Sequence, residues 1–190
     1  MKAVMISIKP KWVEKIANGQ KTIEVRKTRP KIDTPFKCYI YVTKGKPYLY
    51  RVDDDDNFEL TNTFRPKVYG YVKDYNEQNG KVIGAFVCDK IENFTKAFFD
   101  EQEPRDTEEI TDYLYQFNMT YGELVSYVGL KNFYGWHISN LVIYDEPKVL
   151  GEFFTPIGKR PSYMLERPFQ SWCYVEEKED NNERKRNEND

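Results

Sequence analysis

Gly19-Gln20-Lys21-Thr22-Ile23-Glu24-Val25-Arg26 is the stretch on which the reading of this chain turns. Just upstream, Pro10 stands at a helix start, and Trp12, Val13, Ile16 and Ala17 form one face of a short helix that Gly19 stops. The chain then enters a strand, Lys21 to Lys27. Its alternation puts Thr22, Glu24 and Arg26 on one face and Lys21, Ile23 and Val25 on the other. Neither Glu24 nor Arg26 can be buried alone, because an unpaired buried charge costs on the order of several kcal/mol. They must meet each other, water or a ligand. The plain alternative to a binding role is a Glu24 pair with Arg26 or Lys21 that merely closes the sheet.

Working outward, Ala3 to Ile8 (AVMISI) and Lys37 to Thr43 (KCYIYVT) read as strands. Val82 to Ile91 (VIGAFVCDKI), the most apolar segment, reads as a central strand in which Gly84 marks a bend or bulge. Pro47 to Phe64 predicts a polar hairpin turning on Asp53 to Asp56. Between Asp106 and Gly129 the spacing predicts one or two helices, with Thr107 or Thr120 as caps and Thr120 with Glu123 as a capping box. Gly135 to Leu150 returns to strand character, and Ser171 to Val175 (SWCYV) closes the domain. The fold expected is α+β: a mixed β-barrel with short helices at its ends and an acidic hairpin inserted at about residues 47–66. One domain is expected over residues 1–175. Residues 176–190 (EEKEDNNERKRNEND) are too polar to join a core and predict a disordered charged tail.

Net charge is only −2, but it is unevenly spread. Residues 1–51 carry thirteen lysines and arginines against three acids, a balance of +10, while residues 176–190 carry four bases and seven acids. A basic N-terminal third suits a polyanion, since Lys and Arg contacts to phosphate release condensed counterions. Lys9, Lys11, Lys15, Lys27, Arg29 and Lys31 flank the motif and are expected to hold phosphates. No run is apolar enough for a membrane span, and MKAVMISIKPKW lacks signal-peptide features, so a cytoplasmic chain with no membrane partner is expected. Cys38, Cys88 and Cys173 lack metal-ligand spacing and are expected as buried thiols. A single histidine, His137, excludes histidine-based triads and multi-histidine metal centres. No metal and no cofactor are expected. Asp53 to Asp56 lacks the spaced ligands of a calcium loop and reads as a solvated turn.

Trp12, Trp136 and Trp172 are the candidates for stacking on a base, a contact worth about 1–3 kcal/mol, although a strand tryptophan is more often core. Trp172 is the preferred one, with Gln170 and Ser171 beside it to read a base edge; a lone strand histidine is more often a hydrogen-bonded structural residue, and the neighbour Trp136 keeps His137 among the cleft candidates.

Residues 3–176 resemble the ASCH domain family of the PUA-like superfamily. The resemblance is carried by the strand Met5 to Lys9 (MISIK), by Gly19, Lys21, Glu24 and Arg26 in the pattern G-x-K-x-x-E-x-R, and by VIGAFVCDKI and SWCYV, which are similar to later strands of that family. It implies a PUA-like β-barrel with a cleft beside the first helix, RNA binding and, in some members, amide hydrolysis of an acylated cytidine by a lysine, a threonine nucleophile and a distal glutamate. Lys21 matches the lysine. Glu24 occupies the nucleophile position, and Phe117, before Asn118-Met119-Thr120, occupies the place of the glutamate, so two of three catalytic positions are unmatched.

Three functions follow as expectations. The first is a nucleic-acid-binding module, RNA preferred, gripping a nucleotide beside the first helix through Lys9, Trp12, Lys21, Glu24, Arg26, His137, Ser171 and Trp172. The second is a hydrolase of a modified, acylated nucleoside, with Lys21 and Glu24 as an acid and base pair and Thr22 near them. The third is a protein-interaction module using the acidic insertion and the helices. The oligomeric state is left open.

Overall fold

The computed structural model describes residues 3–44, 49–52, 58–61, 79–99, 107–155 and 163–177. It is a mixed α+β structure with more strands than helices. Strand β1 (Ala3–Ile8) pairs antiparallel with β12 (Trp172–Glu177) and parallel with β3 (Phe36–Val42), and it is buried along its whole length because Val4, Ile6 and Ile8 enter one core and Ala3 and Met5 another on the opposite face. A parallel pair needs a long crossover. Helix α1 (Pro10–Ala17) and strand β2 (Ile23–Arg26) supply it. α1 buries Pro10, Val13, Ile16 and Ala17, and Gly19 ends the turn beyond it at φ 71°, a left-handed conformation that glycine adopts without a Cβ clash.

The main sheet has seven strands in the order β11-β10-β12-β1-β3-β6-β9, where β6 is Val82–Cys88, β9 Ser139–Lys148, β10 Phe153–Thr155 and β11 Tyr163–Met164. A second sheet has the order β2-β8-β7, with β7 at Ile91–Phe94 and β8 at Phe133–His137. β4 (Leu49–Val52) and β5 (Phe58–Thr61) pair antiparallel as a third, two-stranded sheet. The acidic run Asp53 to Asp56 between them, and the tail from 178 onward, lie outside the described residues. No ladder among the described residues closes the strands into a barrel. Instead the chain passes between the two larger sheets four times: through α1 between β1 and β2, through residues 27–35 between β2 and β3, at Asp89-Lys90 between β6 and β7, and at Ile138 between β8 and β9.

Gly84 marks the irregularity that its sequence suggested. The β6–β9 register shifts beside it, and a Cβ there would stand 2.3 Å from the Val142 carbonyl oxygen, so the neighbouring backbone occupies the side-chain space. Helices α2 (Thr107–Phe117) and α3 (Tyr121–Val128) fill the predicted region. Thr120 caps α3 in a reciprocal capping box with Glu123, and Gly129 ends the helix in the left-handed region.

Two cores support the site. One packs α1 against the main sheet through Val13, Ile16, Val4, Ile6, Ile40 and Phe86 and includes Trp136. The other packs α2 and α3 against the small sheet through Phe94, Phe117, Leu124 and Phe133 around Ile23 and Val25. Cys38 and Cys88 are buried, Cys173 is partly so, and all three are free. Burial pushes the Cys88 and Cys173 thiols up to about 12. Among the described residues no helix is long and apolar enough to cross a membrane, and no group of three His, Cys, Asp or Glu side chains gathers where a metal ion could be held.

Candidate functional site

The turn that leaves α1 sets the site. The Lys15 carbonyl accepts from both the Gln20 and Lys21 amides, at 2.9 and 3.0 Å, which reverses the chain sharply before β2. The strand itself begins only at Ile23, so strand alternation does not govern residues 21 and 22. This corrects the facing inferred from sequence. Lys21 turns to the side of Glu24 and Arg26, while Thr22 is exposed, its amide donating to the Gln116 carbonyl and its carbonyl accepting from the Ile138 amide.

Lys21, Glu24 and Arg26 form a buried row of alternating charge. The Glu24 carboxylate sits between its two partners, 3.5 Å from Lys21 Nζ and 3.0 Å from Arg26 Nη2. Lys21, only 2% exposed, donates through Nζ to the Phe117 carbonyl at 2.6 Å. That carbonyl ends α2 and has no partner within its helix, so it offers the cation a polarised acceptor. Phe117 therefore contributes its backbone here, while its ring is buried in the α2–α3 core. Arg26 donates from Nη2 to the Ser7 carbonyl at 2.9 Å and from Nη1 to the Ser171 carbonyl at 3.2 Å, tying β2 to β1 and to the entry of β12. Asn118, at positive φ, secures the opposite end by accepting from Lys15 and donating to the Gln20 carbonyl.

Burial holds the Lys21 pKa below its ordinary value of 10.5, with the attraction of Glu24 opposing the shift. The sign of the linkage follows. The folded state binds this proton less tightly than the unfolded chain, so the stability contributed by Lys21 is fully present only above about 10.5 and falls as pH drops through the folded-state pKa. The stability difference between wild type and Lys21→Met, measured by urea unfolding, should therefore move in favour of wild type as pH rises toward 10.5. A difference independent of pH would contradict a desolvated Lys21.

The row lies at the floor of a cleft of about 650 Å³. Its walls come from the start of α1 (Lys9, Lys11, Trp12), from α3 (Gly122, Glu123, Ser126, Tyr127) and from Gln170. Such a volume suits a small organic ligand. Half-buried Trp12 carries the Lys11 ammonium 4.2 Å from its ring centroid and those of Lys15 and Lys21 at 5.3 Å. Glu123 spans the mouth to Lys11 at 3.0 Å. Burial works to raise the Glu123 carboxyl, but hydrogen bonds from the Thr120 cap and Lys11 outweigh it and hold it below the usual carboxylate range.

Lys9, Lys11, Trp12, Lys21, Glu24 and Arg26 are thus brought together, and the other candidates named for the cleft fall elsewhere or, like Gln170, at its wall. Ser171 serves through its carbonyl. Trp172 donates through Nε1 to Thr28 Oγ1 at 2.9 Å, outside the cleft lining. His137 stands 3.2 Å from Glu92, without hydrogen-bond alignment, on the opposite face of the sheet from Trp136 and Glu24. Trp136 is fully buried in the core. Lys27, Arg29 and Lys31 lie beyond the cleft as well. Gln170, expected from sequence as a polar neighbour of Trp172, does line the cleft, whereas sequence reasoning missed Glu123, Ser126 and Tyr127 as cleft residues. For Glu123 the capping box was a visible signal, but it accounts for the residue locally and gives no hint of a cleft.

Residues 6–142 match the family model of the ASCH domain. The crystal structure of ASCH from Zymomonas mobilis is 15% identical, with 78% of this chain and 73% of that chain covered at a TM-score of 0.49. A tyrosine-to-phenylalanine variant of the Zymomonas mobilis protein is 16% identical, with 79% of this chain and 77% of that one covered at a TM-score of 0.49. No curated protein matches the chain.

Proposed function

The chain belongs to the ASCH domain family, and from that premise we propose that it is a nucleic-acid-binding module, RNA preferred, that seats one nucleotide in the cleft beside α1. The observation that carries the reading is the buried Lys21–Glu24–Arg26 row at the floor of a cleft whose rim holds Trp12 among lysines. Its parts divide the work. A base stacks on Trp12, Glu24 accepts from an N–H or hydroxyl of the nucleoside, and Lys9 and Lys11 meet phosphate. Lys21 and Arg26 hold the carboxylate in place, so little ordering remains to be done on binding. In this reading the two larger sheets, joined at Asp89-Lys90 and Ile138, are the halves of a PUA-like barrel.

Labelled single-stranded RNAs and free nucleosides, titrated against wild type and Glu24→Gln between about 50 and 200 mM salt, test it. Wild type should bind RNA with steep salt dependence, and Glu24→Gln should weaken nucleoside and RNA alike while leaving the salt slope unchanged. Absence of RNA binding, or binding indifferent to salt, would overturn it.

A second reading, hydrolysis of an acylated nucleoside, is favoured by one observation: Lys21, with its lowered pKa, lies within 3.5 Å of Glu24. Thr22 lies away from the cleft, so in this reading water, activated between Lys21 and Glu24, is the nucleophile. Turnover of an acylated cytidine that survives Lys21→Ala would sink that mechanism.

A further inference from the structure

The basic residues that follow β2 form a place of their own. Lys27, Arg29 and Lys31, with Asp33 as the one acid and Tyr134 from β8, line an open recess of about 510 Å³. Pro30 is buried while the three cations are exposed, so the loop is anchored by its apolar member and presents its charge outward. Two hydrogen bonds from β12 side chains fix its shape. Trp172 donates to Thr28 Oγ1 at 2.9 Å, and the Lys31 amide donates to the Tyr174 hydroxyl at 2.7 Å. Neither Arg29 nor Lys31 forms an ion pair with a described residue.

The recess borders the cleft. Lys27 Nζ stands 5.2 Å from the ring centroid of Tyr127, and Tyr127 lines the cleft wall. Arg29 is three residues from Arg26, so their Cα atoms are at most about 11 Å apart.

Resting on the RNA reading above, we infer that this recess is a second anion site, which takes a backbone phosphate of the same strand whose nucleotide occupies the cleft. Arg29 and Lys31 ride on a loop held in shape, without an ion pair to a described residue, and Lys27 reaches the cleft wall at Tyr127, which is what a strand leaving the cleft requires. Phosphate contact here adds affinity and sets the direction of the strand without reading sequence. Trp172, expected from sequence to stack on a base, acts in this arrangement as a positioning residue for Thr28 and the loop.

The test is the variant Lys27→Gln/Arg29→Gln/Lys31→Gln, whose changes are all at exposed positions. Its binding of a 5′-mononucleotide and of a single-stranded RNA of about eight nucleotides is compared with wild type. The RNA should bind at least about tenfold more weakly near 0.1 M salt, with the log-log salt slope reduced by about 2 for three lost phosphate contacts. Mononucleotide binding should be unchanged. Wild-type RNA affinity and slope in the variant would overturn the inference. A second arm does not depend on RNA: inorganic tripolyphosphate is titrated into wild type while backbone amide shifts are followed. Saturable shifts at Thr28, Arg29 and Lys31, absent from the variant, support the site, and no shift there overturns it. Shifts at the recess together with no RNA binding would overturn the RNA reading and leave the anion site standing.

Discussion

Glu24→Ala should destabilise the protein by about 3–5 kcal/mol in urea unfolding, because it strands two buried cations. The side chains of Lys21 and Arg26 are 1% and 6% exposed, and Glu24 is the acid between them. Arg26 would keep its two carbonyl acceptors and Lys21 the Phe117 carbonyl, so the fold retains some of what holds them. What disappears is the neutralising charge. Glu24→Gln should lose less, since an amide oxygen still accepts from Arg26. Replacing the whole row, as Lys21→Met/Glu24→Leu/Arg26→Met, should restore much of the loss, as apolar side chains of similar volume often replace a buried ionic group without penalty. That restored protein should still fail to bind a nucleoside. A loss under about 1 kcal/mol for Glu24→Ala would show that water screens the row.

The contrast between the reading of the sequence and the structure follows the range of the interactions involved. α1, its stop at Gly19, the Thr120 capping box and the irregularity at Gly84 are settled by neighbours in sequence or by backbone sterics, and they were legible. So was the need of Glu24 for a partner, because the cost of an unpaired buried charge does not depend on knowing the fold. The side to which Lys21 turns was not legible. It depends on β2 starting at Ile23, which is fixed by pairing with β8 more than a hundred residues away. The acceptors of Lys21 and Arg26 are backbone carbonyls of Phe117, Ser7 and Ser171, and a carbonyl carries no residue-type signal. His137 was kept among the cleft candidates for its neighbour Trp136, yet adjacent strand residues point to opposite faces, and His137 meets Glu92, as its plainer reading as a structural histidine expects.

Trp136 shows how the core reaches the site. It is the cross-strand partner of Glu24 on β8, so the two side chains lie on the same face with Cβ atoms about 4.5–5.5 Å apart. Its ring is fully buried, edge-on to Phe36 at 5.9 Å and tilted against Trp172 at 6.2 Å. Trp136→Ala should therefore cost about 3–5 kcal/mol. Trp136→Phe should cost less than about 2 kcal/mol, because it refills much of the volume and removes an indole N–H that has no acceptor among the described residues. Binding separates packing from positioning. At a temperature where both variants are folded, Trp136→Ala should weaken nucleoside binding at least about tenfold, since a cavity beside Glu24 lets its carboxylate leave the geometry set by Lys21 and Arg26, while Trp136→Phe should bind nearly as wild type. Equal affinity in all three proteins would mean that the Lys21–Glu24–Arg26 row fixes the cleft floor unaided. The core beneath it would then matter for stability alone.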